Sequence, residues 1–215
     1  KQYITWNNTF ADKFVKKVKG TTAKEWHNVA LICDGKVVNV YIDNALVGTF
    51  KNKYAKEATN MVICSGEKEI QLAAIRLYNW AQHTAEAEYD ATVAIPEFNG
   101  KVAPKPQGLL IDINAADYTV GTTVKSVKNN TGMGTFNDQG SDIPVTLKDN
   151  RIAFQLDGSQ QLKSDFALPT NMKDNAPYTM TAWILNPEAS ERECIVDLSP
   201  VGQDGELGRV VFGNG

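Results

Sequence analysis

Apolar residues in this chain recur at every second position in run after run, and a period of two marks strands with one buried face. From Trp26 to Cys33 the alternation sets Val29, Leu31 and Cys33 on one side. Asp34-Gly35 is a tight-turn pair, and Val37 to Asp43 forms the returning strand of a hairpin. Asp43-Asn44 makes the next turn, since Asn reaches positive φ at low cost, and Ala45 to Phe50 follows as another strand. Met61 to Cys64, Ile70 to Tyr78, Leu109 to Ile113, Arg151 to Leu156, Cys194 to Leu198 and Leu207 to Phe212 read as further strands. In Tyr178 to Leu185 the residues Tyr178, Met180, Ala182 and Ile184 share one face, and Thr179, Thr181, Trp183 and Leu185 the other. A short helix is expected over Trp80 to Tyr89, a loop over Asn129 to Asp142, and a turn at Asp157-Gly158. Many short strands and frequent turns predict an all-β protein, an antiparallel β-sandwich.

From Ala91 to Gly108 the character changes. Pro96, Pro104 and Pro106 stand there with Gly100 and Gly108, a stretch that cannot hold a central strand or a helix. Residues 91–107 therefore read as a linker between a segment 1–90 and a segment 108–215.

With 42% apolar and 22% charged residues the composition is that of an ordinary soluble globular protein, long enough at 215 residues to bury a useful core. A net charge of −3 argues against nucleic acid as a partner, which needs a basic face. The short cluster Lys13, Lys16, Lys17 and Lys19 reads as a solvated edge. No run approaches the ~20 apolar residues that span a bilayer, so membrane insertion is not expected. No charged-then-apolar leader stands at Lys1, and any export signal is expected to be already removed or to lie outside this sequence. Cys33, Cys64 and Cys194 cannot all pair within one chain, and with His27 and His83 they lack metal-ligand spacing. Buried free thiols are the expectation for Cys33 and Cys194.

Several runs resemble the laminin-G-like domains of the concanavalin A-like lectin/glucanase superfamily, a jelly-roll sandwich. Trp26-His27-Asn28-Val29-Ala30-Leu31, Asp34-Gly35-Lys36, Val40-Tyr41-Ile42-Asp43 and Leu46-Val47-Gly48 are similar to that family's central hairpin. Ala74-Ile75-Arg76-Leu77-Tyr78-Asn79 resembles its closing strand, which a short helix usually follows. Phe154-Gln155-Leu156-Asp157-Gly158 and Pro177-Tyr178-Thr179-Met180-Thr181-Ala182-Trp183-Ile184 resemble two of its early strands. The order is reversed. Residues 1–90 match the C-terminal half of such a sandwich and residues 108–215 the N-terminal half. The chain is thus either a window across two tandem domains or one domain in permuted order. Half a sandwich leaves a sheet face uncovered and edges unpaired, so the halves are expected to complete one another, within the chain or by exchange in a dimer. The linker, ~55 Å when extended, is ample to join the neighbouring ends of one sandwich.

The resemblance implies a non-catalytic carbohydrate-binding or adhesion module of a secreted or cell-surface bacterial protein, with a glycan and other domains of a larger protein as partners. A structural or protein-interaction accessory domain is the alternative. A glycoside hydrolase is disfavoured. Retaining enzymes hold two carboxyl groups about 5–5.5 Å apart. Glu86, Glu88 and Asp90 fall at the junction of helix and linker, and Glu193 and Asp197 share a strand face with Ile195, near Glu191. The first has alternate spacing but reads as solvated surface, and the second misses the spacing of the superfamily's hydrolases.

Sugar binding needs an aromatic platform with amides and carboxylates around it. Trp6 followed by Asn7 and Asn8 supplies that combination, and the polar run Gln203-Asp204-Gly205-Glu206 with Arg209 could rim a site. Trp80 with Gln82 and His83 is a weaker cluster. Trp26 and Trp183 match family positions that pack in or near the core. No cofactor loop is present. Calcium, common in the superfamily, needs six to eight oxygen ligands, for which Asp43, Asp157 and Asp204 are weak candidates.

Overall fold

In a computed structural model the described residues are 3–6, 15–17, 24–51, 60–63, 69–81, 108–172, 176–186, 192–197 and 209–213, with the backbone alone at 3–6, 15–17, 50, 51, 60, 192–197 and 209–213. The first segment carries β1 (Tyr3–Trp6), β2 (Val15–Lys17), β3 (Trp26–Cys33), β4 (Val37–Ile42), β5 (Ala45–Lys51), β6 (Asn60–Ile63) and β7 (Ile70–Tyr78). The second begins with β8 (Leu109–Asn114), β9 (Thr123–Val124), β10 (Ser126–Lys128), β11 (Thr135–Asp138) and β12 (Ile143–Lys148). It continues with β13 (Arg151–Leu156), β14 (Leu162–Ala167), β15 (Tyr178–Leu185), β16 (Arg192–Asp197) and β17 (Arg209–Gly213). Among the described residues there is no α-helix, only single 3-10 turns at Ala115–Asp117 and Thr170–Met172.

The strands form an all-β, antiparallel sandwich of two sheets. The eight-stranded sheet runs β10-β11-β14-β6-β16-β17-β1-β2, and the nine-stranded sheet runs β5-β4-β3-β15-β7-β13-β12-β9 with β8 added to β7. Strands of the two segments interleave. β15 lies between β3 and β7, with Tyr178 opposite Cys33 and Leu185 opposite Trp26 on one edge, and Thr179 opposite Tyr78 on the other. β7 uses its far edge twice, pairing β13 at Ile70–Leu72 and β8 from Ala74 onward. β6 lies between β14 and β16. Every interleaved strand thereby satisfies backbone donors and acceptors on both edges.

Burial follows the alternation. Val29, Leu31, Leu72, Ile75, Phe154, Met180 and Ile184 of the nine-stranded sheet pack in one core with Met61, Ile63, Phe136 and Leu162 of the eight-stranded sheet. Each such side chain contributes roughly 1.5–3 kcal/mol on burial. Edge-to-face ring pairs add shape: Tyr118 with Phe154 at 5.2 Å, and Phe136 with Phe166 at 5.5 Å.

The turns have the residues their geometry demands. Asp43 (φ 47°) and Asn44 (φ 67°) join β4 to β5, and Asp149 (φ 49°) and Asn150 (φ 63°) join β12 to β13, both with two successive left-handed residues. In the β3–β4 turn Gly35 takes φ 96°, while the Asp34 carboxylate accepts from the backbone N–H groups of Lys36 and Val37, each at 2.8 Å.

Two expectations need correction or placing. The stretch Asn129 to Asp142, expected as a loop, contains β11, whose Phe136 is fully buried and whose backbone pairs β10 and β14. Its glycines serve the turns on either side; Gly134 has φ 145°, and a Cβ there would meet the Asp165 carboxylate. The helix expected over Trp80 to Tyr89 lies outside the described residues beyond Ala81, as do the linker residues 91–107.

Candidate functional site

Strand register decides which residues share the face of the nine-stranded sheet that points away from the core. Asn28 of β3 is opposite Trp183 of β15, and Trp183 is opposite Ala74 of β7. Because Val29, Ala182 and Ile75 point into the core, Asn28, Trp183 and Ala74 point outward, as does Trp26 beside Leu185. On β13 Phe154 is a core residue, which turns Arg151 and Gln155 outward too.

Small residues shape the middle of this face. Ala73 and Ala74 are buried, with Trp26, Trp183 and Ala116 packed around them. Across them reaches Arg151, whose Cζ lies 4.1 Å from the Trp183 ring centroid and 6.0 Å from that of Trp26. A guanidinium over an indole face gains about 0.5–2 kcal/mol. The Trp26 indole N–H donates to the Lys148 carbonyl at 3.0 Å, which holds that ring against the β12–β13 turn. Both indoles and Arg151 are half-buried, so the cluster is open along part of its edge.

Polar groups border it. Thr146 Oγ1 donates to Gln71 Oε1 at 3.1 Å, and Gln71 Nε2 donates to Glu69 Oε1 at 2.6 Å. Further along the face Arg76 Nε meets Asp112 Oδ1 at 3.2 Å. Asn28 is 2% exposed, and its Nδ2 has no hydrogen-bond partner; the same holds for buried Nη1 of Arg151. Burial also lowers the Arg151 guanidinium below its ordinary pKa.

The expected sugar-binding residues fall elsewhere. Trp6 ends β1 opposite Val210, so the backbone brings it next to Arg209, the first residue of β17, which is itself opposite Asp197. Asn7, Asn8, Gln203 and Asp204 lie outside the described residues, as do Gln82, His83, Glu86, Glu88, Asp90 and Glu191. A register shift between Cys194 and Val196 interrupts the alternation on which a shared face for Glu193 and Asp197 depended. Trp80 packs edge-on against Tyr78 at 6.3 Å, and its carbonyl accepts from Thr179 Oγ1 at 2.9 Å.

The weak calcium candidates that are described have backbone partners. Asp43 accepts from the Asn28 N–H at 2.9 Å and meets His27 Nδ1 at 2.6 Å; Asp157 accepts from the Ser159 N–H at 2.9 Å and its hydroxyl at 2.6 Å. Among the described residues no group of three or more His, Cys, Asp or Glu side chains could hold a metal ion, and no helix is long and apolar enough to cross a membrane.

What register and burial define is an all-β, antiparallel two-sheet protein with a tryptophan–arginine cluster on its outer sheet face. No protein-family model matches the chain, and no curated protein or solved structure matches it significantly.

Sequence reasoning missed Arg151 because a lone arginine at the start of a short strand carries no local signal. Its role depends on Trp26 and Trp183, which only strand pairing brings near.

Proposed function

We propose that this chain is a non-catalytic carbohydrate-binding module of a secreted or surface-attached bacterial protein, a concanavalin A-like, laminin-G-like jelly roll whose segments 1–90 and 108–215 complete one sandwich in permuted order. The supporting observation is the half-open cluster of Trp26, Arg151 and Trp183 on one sheet face, with the Asn28 amide, whose Nδ2 has no partner, opposite Trp183. Pyranose rings stack their C–H faces on indoles, and hydroxyls take hydrogen bonds from amides at the rim. The non-catalytic part rests on acid placement. Two described acids along this face are already engaged, Asp112 with Arg76 and Glu69 with the Gln71 amide, whereas a retaining glycosidase needs two free carboxyl groups.

Affinity electrophoresis against a polysaccharide panel, with and without a chelator, tests this reading. Retarded migration that Trp183→Ala abolishes and Trp6→Ala spares supports the sheet face as the site. The reverse pattern moves the site to the β1–β17 end. If no polysaccharide retards the protein, the glycan reading is wrong and an accessory structural role takes its place. Loss of retardation with chelator that added calcium, and not magnesium, restores identifies calcium as part of the site.

A further inference from the structure

Two arginines lie on the outer face of the nine-stranded sheet, and the sheet treats them differently. Arg76 is given a carboxylate, Asp112, at 3.2 Å. Arg151 has stacking contacts with Trp183 and Trp26, and among the described residues no carboxylate pairs with it. Its Nη1 is buried without a hydrogen-bond partner. A desolvated cation without an anion is an unstable arrangement, which the indole faces offset only in part. Asn28, directly opposite Trp183, adds a second buried N–H donor without a partner. Two unfulfilled donor groups therefore border one indole, and donors with no acceptor call for an acceptor from outside the chain.

We propose that this cluster is a receptor for a sugar carboxylate, so that the glycan bound is acidic, a uronate-bearing polysaccharide. The proposal rests on the glycan-binding reading above and gives it a substrate class. A planar guanidinium fork matches a carboxylate with two parallel N–H···O bonds, and Asn28, opposite Trp183 on β3, offers a further buried donor across that indole. The uronate ring then lies along the half-open indoles. The lowered pKa of Arg151 agrees with a cation stripped of solvent ahead of its partner. General electrostatic attraction is no substitute, because the chain carries a net charge of −3 and repels polyanions as a whole.

The test uses the full chain and pairs of glycans that differ in charge alone. Polygalacturonate and its methyl ester, with dextran sulfate and a neutral glucan, are titrated while tryptophan emission and gel retardation are followed. Binding to the acid that weakens at least about tenfold on esterification is expected, corresponding to loss of a charge-assisted contact. Arg151→Gln, with its melting temperature checked, loses the same factor. Arg151→Lys, which keeps the charge without the fork, lies between, and Lys125→Ala, on the exposed surface, binds as the parent does. Equal affinity for acid and ester overturns the acidic-ligand inference while leaving glycan binding in place. Binding to dextran sulfate alone overturns the carboxylate assignment. Failure of every saccharide overturns the underlying glycan reading. A folded Arg151→Gln variant that binds at parental strength removes the site from this cluster, and should that variant not fold, the acid–ester pair on the parent chain decides.

Discussion

Phe154 of β13 meets Tyr118 edge to face at a centroid separation of 5.2 Å, joining the strand that carries Arg151 to the loop ahead of β9. Phe154 is fully buried, and its neighbours in the core come from both sheets. Replacing it by alanine leaves a cavity that the rigid strands around it cannot close. Phe154→Ala is expected to lower stability by about 3–5 kcal/mol. Urea unfolding followed by tryptophan emission measures it as a shift of midpoint at nearly constant slope.

The Asp43 carboxylate ties the β4–β5 turn back to β3 through the Asn28 N–H at 2.9 Å and His27 at 2.6 Å. Removing it leaves a buried imidazole and a backbone donor short of an acceptor. Asp43→Ala should cost about 1–3 kcal/mol. Asp43→Asn, which keeps an acceptor for the backbone, should recover part of that loss in the same denaturant assay.

Cys33 sits at the end of β3 in the core, with its Sγ accepting from the Gly35 N–H at 3.3 Å, and burial pushes its thiol up to about 11. The unfolded thiol ionises near ~8.5. Between these values the unfolded chain has lost a proton that the folded chain keeps, so stability declines as pH climbs through that window. Peptide-level mapping of iodoacetamide labelling at pH 8 should find Cys33 unmodified in the native protein and modified in urea. Fast native labelling at Cys33 would contradict its burial.

Three carboxylates have the opposite sign. Backbone bonds from Val37 and Lys36 hold Asp34 below the ordinary carboxylate range, the Ser159 hydroxyl and N–H do so for Asp157, and the Thr135 N–H and hydroxyl for Asp165. A depressed pKa contributes stability above the unfolded value, near ~3.9, and that stability disappears as pH falls through the folded value. Urea midpoints should therefore drop as pH is lowered below about 4. Asp157→Asn, which cannot titrate, should show a shallower acid slope than the parent.

The alternation in Ile70–Tyr78, Arg151–Leu156 and Tyr178–Leu185 was sufficient to place these strands at their observed bounds and, for Tyr178–Leu185, to sort its residues into two faces, because period two is a local property of a chain. The turns at Asp34-Gly35 and Asp43-Asn44 were legible for the same reason, since positive φ selects particular residues. β11, β12 and β14 were not. Gly132, Gly134 and Gly140 around the first, Pro144 in the second, and Lys163 and Asp165 in the third weaken the local pattern, and one partner of the third, β6, lies far along the chain. Sequence alone thus determined an all-β chain, several of its turns and the division of Trp26–Cys33 and Tyr178–Leu185 into two faces. Tertiary structure decided the neighbours. That Trp26, Arg151 and Trp183 share one outer face, and that Asn28 and Arg151 keep buried donors without acceptors there, follows from the order in which β3, β15, β7 and β13 pair. Alternation specifies which side of a strand a residue occupies, while the partner across the ladder is chosen by packing over the whole sandwich.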